Sequence, residues 1–197
     1  MNYENSVTLS GRLHLLSRKK DDKHFAFSIR HESSLSDGTP RKDFLNARAF
    51  LPDVQEKLKG LEENTPILVH GALRTSTGSG ELYLAVGDVE VLPEDFKPEN
   101  DVELAGYVHL VKAQPVGETG LGRYQRFAVR QEYADEHGHS RRDFIVVRVY
   151  EEVVNSYDSN INSIVNEKKT DDPVKVKGTL RSSRGSGVNY VMCTDIK

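Results

Sequence analysis

The sequence predicts an all-β protein with short helices, built as two small barrels in tandem. Three observations predict it. Apolar and polar residues alternate over short runs, the period of a half-buried strand. Turn residues separate those runs. Blocks of sequence also recur, in the same order, in the two halves of the 197-residue chain. The clearest pair is Arg41-Lys42-Asp43-Phe44-Leu45-Asn46-Ala47-Arg48-Ala49-Phe50 and Arg141-Arg142-Asp143-Phe144-Ile145-Val146-Val147-Arg148-Val149-Tyr150.

The first unit opens with Val7 to Leu15, whose odd positions are apolar or Gly. Gly11 in mid-strand predicts a bulge or a sharp bend, as small barrels need at corners. Ser17 to Lys23 is polar and reads as a loop. Phe25, Phe27 and Ile29 alternate with Ala26, Ser28 and Arg30, giving strand two. Asp37-Gly38 is turn chemistry before strand three. Pro52 suits the first position of a helix, and Val54, Leu58 and Leu61 share one helical face. Gly60 ends that helix. Ile67, Val69, Gly71 and Leu73 form strand four. A Ser/Gly loop over 75–80 leads to strand five, Leu82 to Val91, with a break expected at Gly87-Asp88.

Pro93 to Asn100 is acidic, carries two prolines and reads as a linker. The second unit repeats the first. Gly106 and His109 answer Gly11 and His14. Phe127-Ala128-Val129-Arg130 answers Phe27-Ser28-Ile29-Arg30. Gly178-Thr179-Leu180-Arg181 and Tyr190 answer Gly71-Ala72-Leu73-Arg74 and Tyr83. Copy two has a longer first loop with glycines at 117, 120 and 122. Its segment after Tyr150 is also longer, where Val154, Tyr157, Ile161 and Ile164 keep helical spacing. The boundaries are domain one over 1–93, a linker over 94–100 and domain two over 101–197. Three strands, a helix and two strands is the order of an OB-fold, a five-stranded Greek-key barrel with a helix between strands three and four. The prediction is therefore two tandem OB-folds.

Composition narrows the rest. Hydrophobic content of 37% suffices for packed cores. The formal charge of -3 excludes a wholly basic binder but leaves room for a local basic face. The single Cys193 excludes an intrachain disulfide or a multi-cysteine zinc site, and reads as a small half-buried strand residue. No apolar run approaches a membrane span. The N-terminus lacks signal-peptide features, so a cytoplasmic location is expected.

Alternation puts Leu45, Ala47, Ala49 and Leu51, and Ile145, Val147 and Val149, on core faces. Phe44, Arg48 and Phe50 then point outward, as do Phe144, Arg148 and Tyr150. Rings flanking an arginine suit planar bases and phosphates. An outward ring has two uses: a base platform, or a contact under a loop or in a dimer. Rings at both positions in both copies favour the first. Arg12, Arg30 and Arg74 extend the face in copy one. Tyr107, Tyr124, Arg126, Arg130, Lys175, Lys177, Arg181 and Arg184 extend it in copy two, which looks the richer binder. Arg41-Lys42 reads as solvated loop charge. Tyr83 and Tyr190 are divided evenly between groove and packing, and His14 and His109 read as surface or interface residues.

The first copy resembles the bacterial-type single-stranded DNA-binding protein family. The resemblance lies in Asn5 to Leu13, Phe27-Ser28-Ile29, Phe44 and Phe50, Lys59-Gly60, and Ile67 to Arg74. It implies binding of single-stranded DNA with little sequence preference, protecting exposed strands in replication, recombination or repair. It also implies four OB domains in the assembly, here a homodimer. The chain departs from the family in lacking Trp and in ending Cys193-Thr194-Asp195-Ile196-Lys197, without an acidic recruitment tail. Those departures keep two alternatives open: a primosome or recombination adaptor that lost tight DNA binding, and a single-stranded RNA binder.

Enzyme readings are weaker. His137 and His139 lack partners at metal-ligand spacing. Gly117 to Gly122 lacks the strand-to-helix setting of a phosphate loop. No catalytic residue, cofactor or metal is expected.

Overall fold

The structure, a computed structural model, describes residues 3–15, 23–35, 38–109, 117–119, 122–134, 138–150 and 167–197. Residues 17–22 of the loop expected over 17–23, the helix expected over 154–164, and His137 lie outside the described residues.

The chain divides into two compact units. One comprises residues 6–101 with 181–189; the other comprises 1–5, 102–180 and 190–197. Residues 181–189 belong by sequence to the second repeat, yet they pack in the first unit.

The first unit contains β1 (Asn5–Leu15), β2 (Phe25–Ser34), β3 (Pro40–Ala49), α1 (Pro52–Lys59), β4 (Pro66–Thr75) and β5 (Leu82–Val91). Antiparallel pairs join β1 to β2, β2 to β3, β4 to β5 and β4 to β1. A short parallel pairing, Ala47 to Ala49 against Leu84 to Val86, closes the ring. Five strands in the cyclic order 1-2-3-5-4 make the OB barrel. Its core is the odd register read from sequence for the first four strands, where Leu9, Leu13, Phe27, Ile29, Leu45, Ala47, Ile67, Val69 and Leu73 are buried, joined by Leu82, Leu84 and Val86 of β5. Leu51, expected on that face, is instead the exposed N-cap of α1. Pro52 opens α1, Asp53 lies in its first turn, and Lys57 and Lys59 lie in its last, each favourable to the helix dipole. Val54 and Leu58 are buried, each worth about 1.5–3 kcal/mol of apolar transfer. The break expected near Gly87 is a β-bulge: the register passes from His70↔Asp88 to Gly71↔Val86, leaving Gly87 unpaired.

The second unit repeats the ring with β6 (Asn100–His109), β8 (Gly122–Ala134), β9 (Ser140–Tyr150), β10 (Pro173–Ser182) and β11 (Asn189–Ile196). Here β9 and β11 make the parallel closure. The glycine-rich segment expected as a loop instead contributes a strand. β7 (Gly117–Thr119) pairs with the start of β8, Glu118 opposite Arg123.

Gly11 and Gly106 hold the corners. β1 pairs with β4 up to Arg12 and with β2 from Arg12 onward; β6 changes partner at Tyr107 in the same way. A methyl group at Gly11 would lie 2.6 Å from the Arg30 carbonyl oxygen, and one at Gly106 would lie 2.5 Å from that of Arg130. Close backbone approach at the corner, not positive φ, demands glycine at both.

Candidate nucleic-acid interface

In the first barrel the outward register of β2 and β3 brings three layers together. Arg30 stands opposite Phe44, Ser28 opposite Asn46 and Ala26 opposite Arg48. Arg12 of β1 stands opposite Arg30, so Arg12, Arg30 and Phe44 form one row across three strands. Phe44 and Phe50 are each 45% exposed, well beyond what a core ring shows. The Arg48 guanidinium lies 4.2 Å from the centre of the Tyr83 ring, whose own centre is 6.1 Å from that of Phe50. Such a cation–π contact is worth roughly 0.5–1 kcal/mol at an exposed site and fixes Arg48 beside the ring. His14 meets Phe44 edge-to-face at 5.4 Å, and His24 lies 5.3 Å from Phe50. Arg30 reaches Glu32 at 3.2 Å, and Arg12 reaches Glu94 at 2.9 Å. Arg74 is half-buried.

The second barrel repeats the row as Tyr107, Arg130 and Phe144. Phe144 is 38% exposed, and His109 meets its ring at 4.9 Å. Arg130 lies 5.4 Å from the Tyr107 ring and binds Asp171 at 2.6 Å. Arg126 stands opposite Arg148. Like charges directly opposite cost energy. Arg148 offsets this by lying between the rings of Tyr124 and Tyr190, at 4.7 and 3.9 Å.

Tyr150 does not take the outward place expected of it. It is 3% exposed, its hydroxyl 3.3 Å from that of the equally buried Tyr190, and its ring 5.2 Å from Tyr124. Two phenols that satisfy each other can enter a core where two separate ones would each lose a hydrogen bond to water. The phenylalanine at this position in copy one, Phe50, stays exposed.

Arg181 is likewise buried, not set out for phosphate. Its Nη1 donates to Ser33 Oγ at 2.7 Å and to Asp43 Oδ2 at 3.1 Å. Arg41, expected in solvent, is buried too and donates twice to Asp43, at 2.8 Å each. The Ser182 N–H and hydroxyl complete the carboxylate at 2.9 and 3.1 Å, and Arg41 donates back to the Ser182 carbonyl at 3.0 Å. Burial alone raises the Asp43 pKa. The hydrogen bonds from Arg41 and Ser182, with the charge of Arg41, outweigh it and hold the group below its ordinary value. Nearby, His31 is buried, donates from Nδ1 to the Ser10 carbonyl at 2.8 Å, and has its pKa lowered chiefly by burial. The segment 181–189 also meets β3 at Asn46, which exchanges backbone and side-chain hydrogen bonds with Asn189 at 3.2 and 3.0 Å. Arg184, exposed in the turn of that segment, therefore belongs to the first compact unit.

Lys175 and Lys177 are exposed on β10, but in mixed company. They line a shallow cleft with Glu4, Glu103, Asp195 and Lys197, and Lys177 is paired with Glu103. The cleft has no net positive charge to offer. Among the described residues no group of three or more His, Cys, Asp or Glu side chains is arranged to hold a metal ion. Among them, too, no helix is long and apolar enough to cross a membrane.

Reasoning from sequence missed Asp43, and it read His14 and His109 as surface or interface residues without their contacts to Phe44 and Phe144. The parity of β3 carried the first signal, since Arg41 and Asp43 share the odd, inward register of Leu45. The repeat of His14 as His109 carried the second.

Fold and surface together define a tandem OB-fold protein with an aromatic and cationic face on each barrel. Among solved structures it is similar to the wild-type single-stranded DNA-binding protein of Thermus aquaticus, with a TM-score of 0.72 and 16% identity over 100% of this chain and 93% of that one. A deletion mutant of the same Thermus protein gives a TM-score of 0.70 and 18% identity, over 99% and 94% of the two chains. At such identity the likeness is one of fold. No family model and no curated protein sequence matches the chain.

Proposed function

We propose that this protein binds single-stranded DNA with little sequence preference and shields exposed strands in replication, recombination or repair. The observation that carries the reading is the duplicated row: an exposed phenylalanine on strand three, an arginine opposite it on strand two, in each barrel. Bases stack on Phe44, Phe50 and Phe144, and phosphates pair with the neighbouring arginines. The whole-chain likeness in fold to a protein that carries single-stranded DNA binding in its name supports the same reading. A second copy of the chain would bring the assembly to four barrels, the homodimer that the family resemblance implies.

The test is a titration of the full chain with labelled oligo-dT, the matching RNA and duplex DNA over a salt series. The reading expects tight binding to the dT strand, with log K falling by about 0.7 per phosphate contact for each unit of log[salt]. Phe144→Ala should weaken that binding by roughly 1–3 kcal/mol. No binding to dT at low salt would overturn the reading, and a preference for RNA would move it to the other nucleic acid. Light scattering on the same samples measures whether the chain is a dimer.

A further inference from the structure

We infer that Glu94 and Asp171 are built-in competitors for the strand's phosphates, each holding one arginine of the binding row until a phosphate displaces it. The inference rests on the single-stranded DNA reading above and adds what sets its affinity and salt dependence.

Each barrel pairs one arginine of its row with an exposed carboxylate from outside the barrel strands, at a different place in each: Arg12 on β1 in the first and Arg130 on β8 in the second. In the first, Glu94 of the acidic linker reaches Arg12 at 2.9 Å, and Arg12 also donates to the Asn64 carbonyl at 3.2 Å. The Phe96 ring lies 5.9 Å from the same guanidinium. In the second, Asp171 reaches Arg130 at 2.6 Å. Asp171 holds a left-handed φ of 74°, and its N–H donates to the Val108 carbonyl at 2.8 Å. The turn thus aims the carboxylate at the row. Neither acid stands on a barrel strand, so either can leave without disturbing the ring.

A guanidinium fork accepts a carboxylate or a phosphate in the same geometry. Both acids are mostly exposed, so each pair is weakly held and exchangeable. Other charges face the row as well. Glu32 lies between Arg30 and Lys42, at 3.2 and 3.3 Å; Glu132 lies between Arg130 and Arg142, at 3.8 and 3.1 Å. Those glutamates ride on β2 and β8, each opposite one of its cations and two residues along the strand from the other, and stay with the face, whereas Glu94 and Asp171 swing away. When a phosphate replaces one of them, the freed carboxylate gathers counterions of its own. Fewer ions are released overall, so affinity is lower and its salt dependence shallower than the arginines alone would give.

The test uses the full chain and oligo-dT. Glu94→Gln and Asp171→Asn should each tighten low-salt binding by roughly 2- to 5-fold. Each should steepen the log K against log[salt] slope by about 0.7. Asp88→Asn is the control. It changes net charge equally, but Asp88 pairs with Lys57 of α1, outside the row. It should leave both quantities near those of the unsubstituted chain. In an Arg12→Ala background the gain from Glu94→Gln should vanish. Equal gains from Asp88→Asn, or unchanged affinity and slope in the two row variants while the unsubstituted chain binds dT, would overturn the inference alone. Failure of every variant and of the unsubstituted chain to bind dT would overturn it together with the proposed function.

Discussion

Replacing Asp43 by Ala is the sharpest test of how the first unit is held. The carboxylate accepts five hydrogen bonds: two from Arg41, one from Arg181, and one each from the Ser182 N–H and hydroxyl. Arg41 is 5% exposed and Arg181 is 8% exposed. Removing the acid takes from two buried guanidinium groups the carboxylate they share. Breaking a buried pair in this way costs roughly 3–5 kcal/mol. For a chain of this length about 2–4 °C of melting temperature accompanies each kcal/mol, so the midpoint should fall by roughly 6–20 °C. Thermal and urea unfolding followed by circular dichroism would read the loss. If the two units melt separately, it should appear in the transition of the unit containing β3. Replacing Arg41 and Arg181 by Met in the same variant should restore part of it, because an apolar set of similar volume leaves no unpaired charge. A loss below about 1 kcal/mol for Asp43→Ala would refute the reasoning, since that is the range of solvated pairs.

Other outcomes follow from the same geometry. Tyr150→Ala should destabilise the second unit by about 3–5 kcal/mol, as truncation of a buried aromatic does, because the ring packs and does not face solvent; retained stability with lost dT affinity would return Tyr150 to the binding face. Acid should weaken the fold in two windows. The pKa of His31 is lowered from 6.5, so below that value the unfolded chain takes up a proton the folded one resists, and stability falls as pH drops. The pKa of Asp43 is lowered from 3.8, so its contribution is full above that value and is lost as pH falls through its folded value. His31→Gln should flatten the upper window in urea titrations at stepped pH. Cys193 is buried, with its thiol pKa pushed up to about 12 by burial first and the Asp195 charge second, so iodoacetamide should label it only after unfolding.

Much of the barrel could be read from the chain because a strand writes its two faces into alternate residues. Phe27 and Ile29, Leu45 and Ala47, and Ile67 and Val69 announce their burial through spacing alone. The corner glycines were visible as interruptions, though the carbonyl that crowds each one was not. Alternation fails where a residue's neighbours come from far along the chain. Arg41 and Asp43 stand in the inward register, but charge suggests solvent until Arg181 and Ser182 are known to complete them. Tyr150 fails for the same reason in the opposite sense. Its register resembles that of Phe50, and only Tyr190, on the adjacent β11, supplies the partner that lets its hydroxyl be buried.

The two copies have diverged along the strand rather than across it. At the row of Phe44 and Phe144 both keep an exposed ring, a facing arginine and a histidine at the ring. Six residues further on they part. Copy one leaves Phe50 open, with Arg48 against a half-exposed Tyr83. Copy two has closed the same corner with Tyr124 and Tyr190 on Arg148 and with Tyr150 packed against both tyrosines. A tyrosine buried against a tyrosine stabilises the barrel, and an exposed phenylalanine does not, so one copy spends on stability what the other keeps for contact. The sequence, counting aromatic and basic residues, makes copy two the richer face. Accessibility shifts that balance, since copy one keeps both Phe44 and Phe50 exposed, whereas copy two exposes Phe144 and buries Tyr150. Arg184 moves with it, because the segment 181–189 lies in the first unit. Under the proposed function, the phosphate and base contacts of a bound strand should therefore centre on β2 and β3, with the row of β8 and β9 as the secondary platform.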